Sequence, residues 1–261
     1  YCFNQKAWKK KLALWLYARR MLNRVDMIQY LSRIEKEESA HLGLTRQTCI
    51  IGNGVSHDVL QSEHASTSFL DQHPAISRAG YFLYIGRLHP IKGLDMLVEA
   101  YAGYRARGGQ RDLVLAGPDD GIRTSLEKQI HDQRMTDHAH LIGPIGGAEK
   151  TRALRDAFAY VQASRHETFS VSVLEALGAG RPVIITETCH FPELAEHDAG
   201  LIVPPRPEDF TQAMMQLETD HAMRQRFVDH ARPMVQQYYT WPRIAAQLVG
   251  VYQQIIDRKK S

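Results

Sequence analysis

Cysteine is scarce in this chain: Cys2, Cys49 and Cys189 are the three in 261 residues, far apart and in no C-x-x-C spacing. That excludes a disulfide framework and a cysteine-built zinc site, and it suits a reducing, cytosolic compartment. No apolar run approaches the roughly 20 residues that a membrane-spanning helix needs. Charge of one sign is not in excess either, since 32 basic and 29 acidic residues leave +3, too little to imply a nucleic-acid partner. Two nucleotide signatures are also missing. There is no G-x-x-x-x-G-K-[ST], and no G-x-G-x-x-G follows the apolar run at 81–85, so a P-loop ATPase or a dinucleotide dehydrogenase has no motif to stand on. The chain opens on Tyr1 rather than Met, and residues 1–4 resemble neither a signal peptide nor a natural start; a piece of a longer protein is expected.

What is present is 44% hydrophobic residues, enough to bury a core as one large or two smaller units. The stretch at 159–186, AYVQASRHETFSVSVLEALGAGRPVIIT, organises the rest. It reads as strand, polar turn, helix, glycine-proline stop and second strand, with Ser170 as the helix N-cap. A helix that opens at a strand's carboxyl end points unpaired N–H groups and the positive end of its dipole at the crevice where open α/β sheets bind ligands, so an anionic ligand belongs there. Glu167 precedes this helix and Glu175 lies about a turn inside it. Each carboxylate can accept two hydrogen bonds from a diol. By spacing alone, the same acids could instead complement the dipole and solvate the helix surface.

The segment YFLYIGRLHPIKGLDMLVEAYAGY from Tyr81 is the second strong pattern. A buried strand at 81–85 runs into Gly86-Arg87, then a proline-containing loop with Lys92-Gly93, then a helix with Leu94, Leu97, Val98 and Tyr101 on its apolar positions. Arg87 offers a rigid fork and Lys92 a mobile point charge, a pair suited to a diphosphate. Surface cations bordering a loop are the other reading. Further strands at 113–116, 140–142 and 200–203 alternate with glycine-containing loops and helices. The class is therefore α/β, with a Rossmann-like doubly wound parallel sheet.

Before this region, residues 6–24 form a basic helical pattern with Leu12, Trp15, Leu16 and Leu22. Peripheral contact with an anionic membrane, packing on another domain and plain solubilisation all remain open. A strand is expected at 25–31, a helix capped by the Ser32/Glu35 capping box and ended by Gly43, and a strand at 48–51. Asn53-Gly54 reads as a sharp turn with positive backbone angles, and 56–80 as loop and linker. Helices at 208–217, 223–238 and 242–256 follow, with Trp241 between the last two read as a core residue rather than a ligand-stacking one.

Residues 86–93, together with ETFSVSVLEALGAGRPVI at 167–184, resemble the donor-binding half of a retaining glycosyltransferase of family 4 (group 1) with the GT-B architecture. Asn53-Gly54-Val55 and the Gly117 and Gly143 loops add to the likeness, which runs from Asp26 to about Leu217. The resemblance implies three parts: 1–80, a flanking helix, partial α/β segment and linker; 81–240, the nucleotide-sugar domain; and 241–261, a helix packing toward a missing N-terminal domain. It implies a hexose transferred from a nucleotide-diphosphate sugar to an unknown acceptor hydroxyl with retention, in polysaccharide or glycoconjugate biosynthesis of the cell envelope. Gly86, Arg87 and Lys92 would meet the diphosphate, with Phe169, Ser170, Val171 and Ser172 beside it, Glu175 on the ribose, Glu167 on the sugar and Gly143 near the nucleobase. Arg87, Lys92 and Glu167 are the catalytic candidates; no metal or cofactor is called for. Where relatives commonly carry Glu-Gly-Phe-Gly this chain has Glu167-Thr168-Phe169-Ser170, so two side-chain-free positions are lost. A nonenzymatic nucleotide- or polyanion-binding module is the alternative function.

Overall fold

The computed structural model describes residue 17 and residues 19–60 and 67–260. The basic stretch expected to be helical therefore lies largely outside the described residues, within which Arg19–Leu22 forms one helical turn. The chain divides into two compact units, residues 1–54 with 241–261, and residues 55–240.

In the first unit β1 (Met27–Tyr30) and β2 (Gln47–Ile50) pair in parallel, joined through α1 (Arg33–Glu38) and a 3-10 turn, Ser39–Leu42. Ser32 caps the helix as expected, with the return bond from Glu35 reaching one residue further back. The Ser32 hydroxyl accepts the Glu35 N–H at 3.1 Å, while Glu35 reaches back to the Leu31 N–H at 2.6 Å. Gly43 stops the turn in the left-handed region at φ 60. Gly54 departs from expectation, because it is not among the residues with positive φ. What it needs is the lack of a side chain: a Cβ there would sit 2.8 Å from the Trp241 backbone nitrogen. Trp241 itself opens the helix Trp241–Lys260 and is 49% exposed, so its expected core role is corrected.

The second unit is a six-stranded sheet: β3 (Tyr81–Ile85), β4 (Asp112–Ala116), β5 (Ala139–Gly143), β6 (Ala159–Gln162), β7 (Val183–Thr186) and β8 (Gly200–Val203). All five pairings are parallel and the spatial order is β5-β4-β3-β6-β7-β8. The intervening helices are α2 (Leu94–Ala106), α3 (Arg123–Asp132), α4 (Gly147–Asp156) and α5 (Val171–Gly178), followed by α6 (Pro207–Thr219) and α7 (His221–Tyr238).

Parallel strands covered on both faces read as unbroken apolar runs, and β3 shows why. Phe82 and Tyr84 enter the core with Leu97, Tyr101 and Phe210, while Tyr81 and Leu83 enter the opposite core with Leu154, Leu174 and Val235. At about 1.5–3 kcal/mol for each large side chain withdrawn from water, such a strand is anchored from two sides. The region at 56–80 is more than a linker. His57–Leu60 and Phe69–Gln72 are single helical turns that bury Val59 and Phe69, and Ile76 is buried beyond them. Their weak periodicity is that of isolated turns, too short to repeat an apolar face.

Candidate functional site

Strand order reverses between β3 and β6, the position at which the loops leaving an open parallel sheet part and leave a crevice. The two strongest sequence patterns supply the two loops that meet there. After β3 the chain passes Gly86 and Arg87 into a 3-10 turn, Pro90–Lys92, capped by His89, and then Gly93 at φ 63. A Cβ on Gly93 would collide with the Ala163 carbonyl oxygen of the β6 loop, so only glycine permits this approach. Arg165 ties the loops further: its backbone N–H donates to Ile91 O at 2.8 Å, and its guanidinium forks onto Asp95 at 2.8 and 2.6 Å. That fork, with burial acting against it, holds the Asp95 carboxyl below its ordinary range.

Each expected acid holds a lysine. Lys92 Nζ lies 2.5 Å from Glu167 Oε2, and Lys150 Nζ lies 2.6 Å from Glu175 Oε1. Glu167 is 16% exposed and Glu175 14%, so these are substantially desolvated pairs, and removing one partner leaves a costly unpaired charge. Arg87 is different. It donates to Asp120 Oδ2 at 2.6 Å, but its side chain is 62% exposed, and an exposed pair contributes about 1 kcal/mol or less. Arg87 can change partners cheaply. Lys92 changes partners only if a ligand replaces what Glu167 gives it.

The N-terminus of α5 adds backbone donors. Ser170 adopts an extended conformation at φ −100, and its hydroxyl accepts the Val173 N–H at 3.4 Å. The residue standing where the resemblance expects glycine thus needs no positive angle and caps the helix. Phe169 packs its ring 6.4 Å from that of Tyr239, Val171 is 38% exposed, and the Ser172 hydroxyl accepts from the Tyr160 phenol at 2.8 Å. Burial raises the Tyr160 phenol far above its ordinary pKa, so it remains a neutral donor. Cys189, buried nearby, has its thiol pushed up to about 11, chiefly by burial, and is no nucleophile at neutral pH. Gly86 joins β4 by donating to Ala116 O at 2.9 Å, and Gly143 accepts from Gly117 N at 2.8 Å at the end of β5. Gly143 is two strands from β3, roughly 10 Å at ordinary strand spacing.

The crevice therefore gathers Gly86, Arg87, Lys92, Glu167 and residues 169–172 around one strand boundary, with Glu175 a turn along α5 and Gly143 to one side. Sequence reading missed Lys150, Asp120, Arg165 and Gln162. Lys150 and Glu175 lie on different helices, and no local spacing announces such a pair; Asp120 and Arg165 each sit beside a recognised loop and were the more findable.

Among known proteins, residues 65–234 match the family described as glycosyl transferases group 1. The chain is 28% identical over 188 residues to alpha-D-kanosaminyltransferase of Streptomyces kanamyceticus, covering 71% of this chain and 47% of that one. It is 28% identical over 245 residues to the GDP-mannose-dependent alpha-(1-6)-phosphatidylinositol monomannoside mannosyltransferase of Mycobacterium tuberculosis, covering 88% and 63%. In fold it is similar to the Anabaena protein Alr3699/HepE solved with UDP-glucose, with a TM-score of 0.80 and 19% identity over 94% of this chain and 68% of that one. The chain spans about half the length of the curated relatives it matches. With more than half of its residues matching the family, and a doubly wound parallel sheet of the kind found in a GT-B glycosyltransferase domain, this chain belongs to the group 1 glycosyl transferases.

Proposed function

We propose that this chain is the C-terminal, donor-binding half of a retaining hexosyltransferase, which moves a hexose from a nucleotide-diphosphate sugar to an acceptor hydroxyl. The observation that carries the reading is the Lys92–Glu167 pair at the β3/β6 boundary, beside the N-terminus of α5. A cation and the N–H groups of a helix start suit a diphosphate, and a carboxylate held against that cation suits the sugar hydroxyls next to it. Glu175 then takes the ribose, Phe169 to Ser172 line the donor, and Gly86 lets the diphosphate approach. The Gly143 loop, about two strand spacings away, takes the base.

In transfer, the acceptor oxygen bonds to the anomeric carbon as the bond from that carbon to the phosphate oxygen breaks; the electron pair leaves with the diphosphate, whose freed oxygen takes the acceptor hydroxyl's proton. Arg87 and Lys92 stabilise that developing charge, while Glu167 orients the sugar; no residue here is assigned as a general base. The relatives named for GDP-mannose and for a phosphatidylinositol mannoside support a nucleotide-sugar donor and a glycoconjugate acceptor; a role in cell-envelope biosynthesis at the cytoplasmic side belongs to the same proposal. Peripheral membrane contact through residues 6–24 belongs to the same reading. Among the described residues no helix is long and apolar enough to cross a membrane.

Ligand-observed magnetic resonance with UDP-, GDP- and ADP-sugars against the corresponding free nucleotides and inorganic pyrophosphate tests this directly. Stronger binding of one intact nucleotide sugar than of its nucleotide is expected. Equal binding of all these anions would replace the proposal with a polyanion-binding module. In calorimetric titrations, Arg87→Ala and Lys92→Ala should each weaken nucleotide-diphosphate binding about ten- to a hundredfold, the worth of one hydrogen bond to a charged group, while the fold persists. Unchanged affinity in both variants would remove these residues from the phosphate site.

A further inference from the structure

Gln162 closes β6 and is 1% exposed, a position at which a parallel strand covered on both faces ordinarily carries an apolar side chain. A buried amide left unpaired costs about 1–3 kcal/mol, so its partners matter. Its Nε2 donates to Glu167 Oε2 at 3.1 Å and to Ser164 Oγ at 3.3 Å. Its Oε1 accepts from Ser170 Oγ at 2.8 Å and lies within 3.3 Å of the Tyr160 hydroxyl and 3.5 Å of Ser172 Oγ. The orientation is dictated by chemistry, because turning the amide over would set its oxygen against the Glu167 carboxylate.

We propose that Gln162 is a positioning residue, locking the acid that holds the sugar to the helix start that holds the diphosphate. This rests on the nucleotide-sugar reading. One side of the amide grips Glu167 and the other grips the N-cap of α5, and an amide offers both donor and acceptor while staying uncharged at any pH. With Lys92, Ser164 and Gln162 all donating to Oε2, Glu167 Oε1 is the oxygen with no protein hydrogen bond among the described residues. Fixing one oxygen three times aims the other at the ligand, and a geometry set in advance loses less on binding. Ser170, in place of a glycine, supplies the hydroxyl through which the amide reaches the helix.

The test is titration of this chain and its variants with UDP-glucose, GDP-mannose, UDP and GDP, reading the ratio of sugar-nucleotide to free-nucleotide affinity. Gln162→Glu keeps the acceptor for Ser170 but replaces the amide donor by one proton shared between two carboxyls, and once that proton is lost at raised pH Glu167 faces a second carboxylate. It should lower the ratio about tenfold while free-nucleotide affinity stays within about threefold. Gln162→Met loses both arms and should weaken both ligand classes. An unchanged ratio in Gln162→Glu, or an equal fall for both ligand classes, would reduce Gln162 to a structural role and overturn the proposal while leaving the donor reading standing. A wild-type chain that prefers neither sugar nucleotide to its free nucleotide would overturn both. If Gln162→Glu does not fold, Gln162→Asn, which keeps the amide but is one methylene short of spanning the two sides, carries the same expectation and the same refutation.

Discussion

Lys150 and Glu175 meet across two helices, and their separation of charge from water decides what a substitution does. Lys150→Met should leave the carboxylate partly buried without its cation, turn it from its place, and weaken UDP or GDP binding about three- to tenfold, with a modest fall in melting temperature. Titration of the folded variant decides it, and unchanged affinity would show that Glu175 holds its position alone. Asp112 makes a prediction about acid. It is 1% exposed at the opposite, amino-terminal end of β4; burial raises its carboxyl, but His140, the Ser77 N–H and His138 outweigh this and hold it below the ordinary aspartate range. A depressed folded pKa contributes stability above the unfolded value, about 3.9, and loses it as the pH falls through the folded value. Asp112→Asn should therefore be less stable at neutral pH by about 1–3 kcal/mol and show a flatter decline below pH ~4 in denaturant melts. An equally steep acid decline in the variant would show that other carboxylates carry it. At this scale legibility followed sequence distance. Arg87, Lys92, Glu167 and Glu175 stand in local patterns whose chemistry can be read directly; Lys150, Gln162 and Asp112 acquire meaning only from partners that folding brings to them.

Single turns and caps set the element scale. Gly93 both closes a 3-10 turn and starts α2 in the left-handed region, against the Ala163 carbonyl. Gly93→Ala adds backbone strain of about 1–3 kcal/mol and a collision between the two loops that meet at the site. Its melting temperature should fall by several degrees and its nucleotide affinity with it, whereas Ser170→Ala should cost about 1 kcal/mol through loss of the α5 cap. Thermal denaturation of the two variants side by side checks the order, and a Gly93→Ala protein as stable as the parent would show that the loops can separate freely. The same physics explains what the sequence disclosed about elements. β3 and β8 fall at 81–85 and 200–203 as expected, because an apolar run bounded by glycine or a polar turn has few alternatives. The turns His57–Leu60 and Phe69–Gln72 look like linker in the sequence because a four-residue helix shows no period. Gly54 has the sequence context of a turn residue, although its use is to admit the Trp241 backbone, which is distant in sequence.

At the scale of the whole molecule, the chain accounts for 68% of the similar Anabaena structure and about half the length of its curated relatives. Transfer needs more than a donor site, since the acceptor oxygen must be held against the anomeric carbon with water kept out, and such positioning supplies a large share of a rate enhancement. The second unit contains one complete doubly wound sheet, and the first contributes a parallel pair of strands and the helix Trp241–Lys260. On that helix Val249, Tyr252 and Ile256 are exposed at spacings of three and four, an apolar line along one face. We expect this chain to bind a nucleotide sugar but to transfer its hexose far more slowly than a longer protein that also carries an acceptor-binding domain. Mass spectrometry of products formed from UDP-glucose and from GDP-mannose, by the chain alone and by the longer protein with its acceptor, measures the difference. Donor binding without transfer by the chain would place acceptor positioning in the added domain, whereas transfer at the longer protein's rate would mean that this chain positions the acceptor unaided.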